Sequence, residues 1–178
     1  MMRTVRRMRI VEDQRGLALV EFACVLPVLL LMYLAGYQLT DALSCNRKVT
    51  IATRAVADLI TQNSSVTPTQ VNTILSASSK VLTPYSASNA LIRVTEFTTD
   101  SNGNTTVAWS KDNRGSGRSK GSAFILPPAI KANNTSIVLS EVIYSYTPAV
   151  TFRTVGPLTL SDTVYMNPRV SSTVDLQS

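Results

Sequence analysis

No histidine occurs anywhere in the 178 residues. That removes Ser-His-Asp and Cys-His nucleophile activation, the commonest metal ligand and the most usual general base. Cysteine is nearly as scarce, with only Cys24 and Cys45. Placed on one helix at about 1.5 Å per residue, they stand about 30 Å apart and cannot bond to each other. No disulfide framework is expected. Both read as small apolar helix residues, although Cys45 could cross-link two chains. The carboxylates Asp41, Asp58, Glu96, Asp100, Asp112, Glu141, Asp162 and Asp175 are scattered, and none falls in the spaced run of a calcium loop. There is no Gly-rich phosphate loop either. Neither catalysis nor a metal or cofactor is expected.

The absence that organises the chain is one of charge. Between Leu17 and Leu39 there is no lysine or arginine, and Glu21 is the one carboxylate. A bilayer core of about 30 Å needs about 20 mostly apolar residues in a helix, and this stretch supplies them. Arg3, Arg6, Arg7, Arg9 and Arg15 precede it, against Glu12 and Asp13. The positive-inside rule then keeps the N-terminus in the cytoplasm and translocates everything after Asp41. Much of the net charge of +6 sits in that leader, so charge alone does not argue for nucleic acid, and none is expected as a partner.

Glu21 is expensive where it stands, because a carboxylate in hydrocarbon costs roughly 2.5–3.5 kcal/mol unless it snorkels or finds a partner. Gly16 marks the boundary between the basic leader and the apolar run. Glu21 is the fifth residue after it, followed by Phe22. This spacing resembles a class III signal peptide, cut on the cytoplasmic side after glycine with the apolar helix left on the mature chain. Glycine suits such a site because its backbone can enter an active site without a side-chain clash. Cutting there makes Leu17 the new N-terminus. A buried Glu21 could then pair with a neighbouring subunit's α-amino group. The plainer alternative is that Glu21 lies near the cytoplasmic end and reaches the headgroups. A secretory signal peptide fits less well, since the apolar core is long and no small-x-small site follows. Ala42-Leu-Ser-Cys45 is a poor lipobox and lies beyond a full span.

Pro27 falls inside the span, where neighbouring groups can re-satisfy the freed carbonyl and a kink is the usual result. Beyond Asp41 the pattern changes. Cys45, Val49, Ala52, Val56 and Leu59 recur at alternating spacings of four and three, with Ala42 and Ile60 extending the stripe, while Arg47, Lys48, Arg54 and Asp58 take other faces. No glycine or proline separates Tyr37 from Gln62. One continuous helix from Leu17 to Gln62 is predicted, about 70 Å long at about 1.5 Å per residue.

Thr67-Pro-Thr-Gln70 is a capping-box pattern with proline at the first helical position, so a second helix is predicted over 68–82. Strands are predicted at Leu91–Thr98 and Thr105–Ser110, joined by a hairpin turn at Asn102-Gly103. More follow at Ile137–Tyr146, Ala149–Val155 and Leu158–Met166. The stretch Lys111–Gly121 reads as a flexible, solvated basic loop. Lys111, Arg114, Arg118 and Lys120 lack the interleaved aromatics of a single-strand binding platform. Tyr144 and Tyr146 share a strand face and read as core. Helices followed by short strands give an α+β class with an antiparallel sheet. The expected organisation is a leader over 1–16, a transmembrane helix over 17–40, and an exported domain over 41–178. Within that domain the helix continues over 41–62 and the strands lie between 90 and 170.

The run Arg15-Gly-Leu-Ala-Leu-Val-Glu-Phe-Ala-Cys-Val-Leu-Pro27 resembles the TadE-like minor pilins of the tight-adherence (Flp/Tad) pilus. Similar short motifs follow at Asn46-Arg-Lys-Val49, Val56-Ala-Asp-Leu-Ile60, Pro84-Tyr85, Val107-Ala-Trp-Ser110, Leu126-Pro127, Val142–Tyr146 and Asn167-Pro-Arg169. The resemblance implies a pilin-like fold and a role in pilus biogenesis. It maps Gly16 and Leu17 to the prepilin-peptidase site, and Glu21 and Phe22 to recognition and assembly. The implied partners are the bacterial inner membrane, the prepilin peptidase, other minor and major pilins and the assembly machinery. The C-terminal domain would be periplasmic, or carried into an extracellular pilus. Major pilins of this system are far shorter and carry Glu-Tyr, which points to a minor subunit. If the host is bacterial, the Asn-x-Ser/Thr sequons at Asn63, Asn104 and Asn133 are incidental. A different class of reading remains: an uncleaved single-span protein whose helix anchors an adhesive or binding domain. An exported enzyme is weaker, for want of an acid/base pair.

Overall fold

The computed structural model describes residues 14–148 and 157–177. The leader as far as Asp13 and the strand expected at Ala149–Val155 lie outside the described residues. The elements run α1 (Gln14–Thr61), β1 (Ser65–Val66), α2 (Pro68–Lys80), β2 (Ala90–Thr99), β3 (Thr105–Asp112), β4 (Thr135–Tyr146), β5 (Leu158–Met166) and β6 (Asp175–Leu176). The fold is α+β, as the pattern predicts: a long apolar helix, a second helix and a four-stranded antiparallel sheet. The chain divides into two compact units, one ending at Thr40 and the other beginning at Asp41.

The first unit is the N-terminal half of α1. It is apolar all round, and none of its most hydrophobic window is buried within the chain. A helix with no polar face and no covering partner is what a bilayer or a helical bundle accepts.

In the second unit the sheet order is β3-β2-β4-β5. Cys45, Val49, Ala52, Val56 and Ile60 of α1 pack with Val71 and Leu75 of α2 against Ile92, Val94, Val138 and Val142 of the sheet. These side chains are essentially fully buried. At about 1.5–3 kcal/mol per large aliphatic, this seam holds the helix to the sheet. Ile60 belongs to it, whereas Leu59, which the spacing also placed there, is 40% exposed. The opposite face of the sheet is closed by Phe97, Val107, Ile137 and Leu139 with Leu126 and Phe124. Phe97 and Phe124 stack with ring centroids 4.2 Å apart.

The start of α2 is capped as its sequence requires. The Thr67 hydroxyl accepts from Gln70 N–H, and Gln70 Oε1 accepts from Thr67 N–H at 2.8 Å. Two details depart from expectation. The β2–β3 connection is not a tight two-residue turn, because residues 100–104 loop around Asp100. Its carboxylate accepts from Asn102 N–H at 2.9 Å and Asn104 N–H at 2.7 Å, and only Gly103 takes positive φ, +81°. The sheet structure is also not wholly antiparallel, since β1 and β6 form a two-residue parallel pair. Segments that short carry no periodicity to read.

Candidate functional site: the N-terminal helix and its anchorage

Gly16, Leu17, Glu21, Phe22 and Pro27 lie in sequence along the exposed first half of α1. A Cβ built on Gly16 would meet nothing within 4 Å, so nothing among the described residues demands glycine there. Leu17 is 60% and Phe22 58% exposed. Glu21 is exposed as well, and has no hydrogen-bond or ion-pair partner among the described residues. Leu17 and Glu21, four apart, share a helix face. Pro27 sits within uninterrupted helix and leaves the Ala23 carbonyl without its usual donor. Cys24 is exposed on the same apolar half.

The second half of α1 begins at a polar knot that sequence reasoning did not find. Asp41 Oδ1 accepts from the Tyr85 hydroxyl at 2.8 Å and Oδ2 from the Tyr146 hydroxyl at 2.6 Å. Tyr85 meets both Tyr144 and Tyr146 edge-on, at 6.4 and 6.3 Å between centroids. Tyr144 and Tyr146 are core residues, as expected from their shared parity, and Tyr146 turns its polar end to the helix. Burial, then the hydrogen bond to Asp41 and its charge, push the Tyr85 hydroxyl up, so it stays a donor. One turn on, burial and then the Asp41 carboxylate push the Cys45 thiol up to about 11, with Lys48 pulling the other way. Cys45 is wholly buried and carries no disulfide. The cross-linking role considered for it is therefore corrected: in the folded unit its sulfur is core.

The basic loop after β3 is solvated over most of its length, as expected, but Arg118 straps it to the sheet. Arg118 reaches back to Glu141 on β4 with both guanidinium nitrogens, one contact at 3.0 Å and the other shorter, and its charge lies 5.3 Å from the Phe124 ring centroid. Arg93 stands between Asp112 and Glu141, at 3.6 and 4.0 Å. Asp112 accepts from Arg114 N–H at 2.9 Å and Ser116 N–H at 2.8 Å. Burial pushes the Asp112 carboxyl up, but the Ser116 and Arg114 hydrogen bonds together outweigh it and the net direction is down. Gly117 is required here, since a Cβ would meet the Ser110 carbonyl oxygen at 2.7 Å. Lys120 remains exposed.

A third polar centre ties the C-terminal segment down. Glu96, 1% exposed, accepts from Trp109 Nε1 at 2.7 Å, Val174 N–H at 2.7 Å and the Ser136 hydroxyl. Burial raises its carboxyl, and those three hydrogen bonds offset part of the rise. The available signal was parity: Glu96 shares a strand face with Ile92 and Val94, a place that calls for an apolar side chain unless polar partners wait there.

The comparisons with known proteins bear on the first of these centres. Residues 16–58 match the family model described as TadE-like protein, from the boundary glycine through most of the buried seam. The short motifs from Pro84 onward lie outside that match. Among curated proteins and solved structures nothing matches. Over its N-terminal helix, then, the chain is similar to the TadE-like proteins, and the rest of it lies outside that likeness.

Proposed function

We propose that this protein is a minor pilin or pseudopilin of a tight-adherence pilus, a structural subunit rather than an enzyme. In this reading a prepilin peptidase cuts after Gly16. The chain sits in the bacterial inner membrane with its C-terminal unit in the periplasm, and subunits pack laterally through α1. The observation that carries it is Glu21: a carboxylate without a partner among the described residues, in an uncovered apolar helix, five residues after a glycine that no packing among those residues requires. Cutting after Gly16 creates an α-amino group at Leu17, one turn from the chain's own Glu21, so a neighbour offset by about one turn along the helix axis would bring its Glu21 to that amine. Pairing the two as subunits assemble relieves a burial cost of several kcal/mol per ion. Lipid offers no such partner, so the carboxylate favours assembly over the lone membrane state.

The test is Glu21→Ala and Glu21→Gln in the host, reading processing and fibre production separately. Loss of fibres with the protein still membrane-bound and processed supports pairing during assembly. Normal fibres from Glu21→Ala contradict it. A bulky replacement at Gly16 should accumulate the uncut chain.

A further inference from the structure

On the helix-facing side of the sheet, within the C-terminal unit, lies an open cleft of about 570 Å³. That is within the roughly 300–1,000 Å³ of small-molecule sites. Its floor is the register pair Thr98 and Thr106, backed by Trp109 and the buried Glu96. One wall is Lys120, where the basic loop returns, and the other is the C-terminal segment at Asp175. The β2–β3 register shifts after Glu96, leaving Ala108 as an extra residue at the cleft. Such bulges re-aim side chains and recur beside binding sites.

The chemistry around this space is specific in kind. The Thr98 and Thr106 hydroxyls make no hydrogen bond within the described residues, and each can donate and accept. Lys120 only donates, and an ionised Asp175 only accepts. The Glu96 carboxyl is held still by three internal donors and has one position to spare, which accepts when the group is ionised and donates when it is protonated. A ligand matching this set must donate and accept at closely spaced points. The exposed charges on the two walls are one of each sign, and burial pushes the Glu96 carboxyl toward its neutral form, so the cleft gives little net pull toward a phosphate or an amine. Ala108 and the Trp109 indole add apolar surface for the C–H side of a ring.

We propose that this cleft binds a neutral polyhydroxylated ring, a sugar. It lies in the C-terminal unit and does not rest on the assembly reading.

The chain has a single tryptophan, Trp109, so its fluorescence reports directly on the cleft. Full-length protein, in phospholipid nanodiscs or a detergent whose head group is not a sugar, is titrated with a panel of neutral mono- and disaccharides. Inorganic phosphate and methylamine serve as charged probes. The expected result is saturable change with at least one neutral sugar and none with the charged probes. The paired change Thr98→Val and Thr106→Val keeps β-branching and volume, and should weaken binding by about tenfold or more. Should that variant fail to fold, Lys120→Ala with Asp175→Asn, both at exposed positions, should weaken it too. A flat response to every sugar overturns the proposal, as does saturation by phosphate or methylamine alone. Sugar binding that the folded variants leave unchanged also overturns it.

Discussion

The two halves of α1 share one backbone and differ in what covers them. From residue 17 to 39 the helix carries leucine, valine and alanine on every face, and the chain buries almost none of it. From Asp41 to Thr61 the apolar residues narrow to a seam, and the sheet buries that seam completely. An apolar surface left bare must be covered from outside, by lipid or by other helices, whereas the seam is satisfied at home. Stability of the sheet unit and residence in the membrane are therefore separable properties of one helix.

The largest effect expected comes from placing the same charge in each half. Val56→Asp buries an unpaired carboxylate in the seam and should cost roughly 4 kcal/mol or more, enough to lose the thermal transition of the C-terminal unit. Val28→Asp should leave that transition unchanged and instead reduce the membrane-bound fraction, at an insertion cost of roughly 2.5–3.5 kcal/mol. Equal effects of the two on unfolding would erase the distinction between the halves. Next in size is Glu96→Ala, which strands the buried Val174 N–H and the Ser136 hydroxyl, while the Trp109 indole keeps the Val174 carbonyl, and should cost about 2–4 kcal/mol in denaturant unfolding. Arg118→Ala removes the strap to Glu141 and should cost about 1–2 kcal/mol, with faster proteolysis confined to residues 113–121.

The smallest effect is on pH, and its sign differs between carboxylates. The folded unit raises Glu96 above its ordinary 4.5, so its stabilising contribution is full below that value. It is lost as pH rises through the higher folded value. Asp112 and Asp100 are held below 3.8, so their contributions are present above that value and fade as pH falls through their lower folded values. Denaturant midpoints of wild type and Glu96→Gln across the acid range should therefore diverge, with wild type gaining relative to the variant toward low pH. A parallel pair of curves would contradict the assignment for Glu96.

Much of this was legible in the residues. The charge gap from Leu17 to Leu39 marks the bare half-helix, the four-three spacing marks the seam, and Thr67-Pro-Thr-Gln70 marks α2. What escaped were contacts between distant parts of the chain. Asp41 meets Tyr146 across 105 positions and Glu96 meets Val174 across 78, and no local period encodes such pairs. In the solvated loop at Lys111–Gly121 one contact escaped for a related reason. Its Gly, Ser and basic content describes a solvated loop, but Arg118 finds its anion on β4, 23 residues away. Asp100 likewise overrode the Asn102-Gly103 turn, because a carboxylate accepting two backbone donors stabilises a longer loop.

The central claim is that α1 begins, in the mature protein, at the bare end of its apolar half. Sequencing the N-terminus of the protein recovered from the membrane fraction tests it most directly. A start at Leu17 is the expected result; an intact Met1, or a start beyond Leu39, would contradict it.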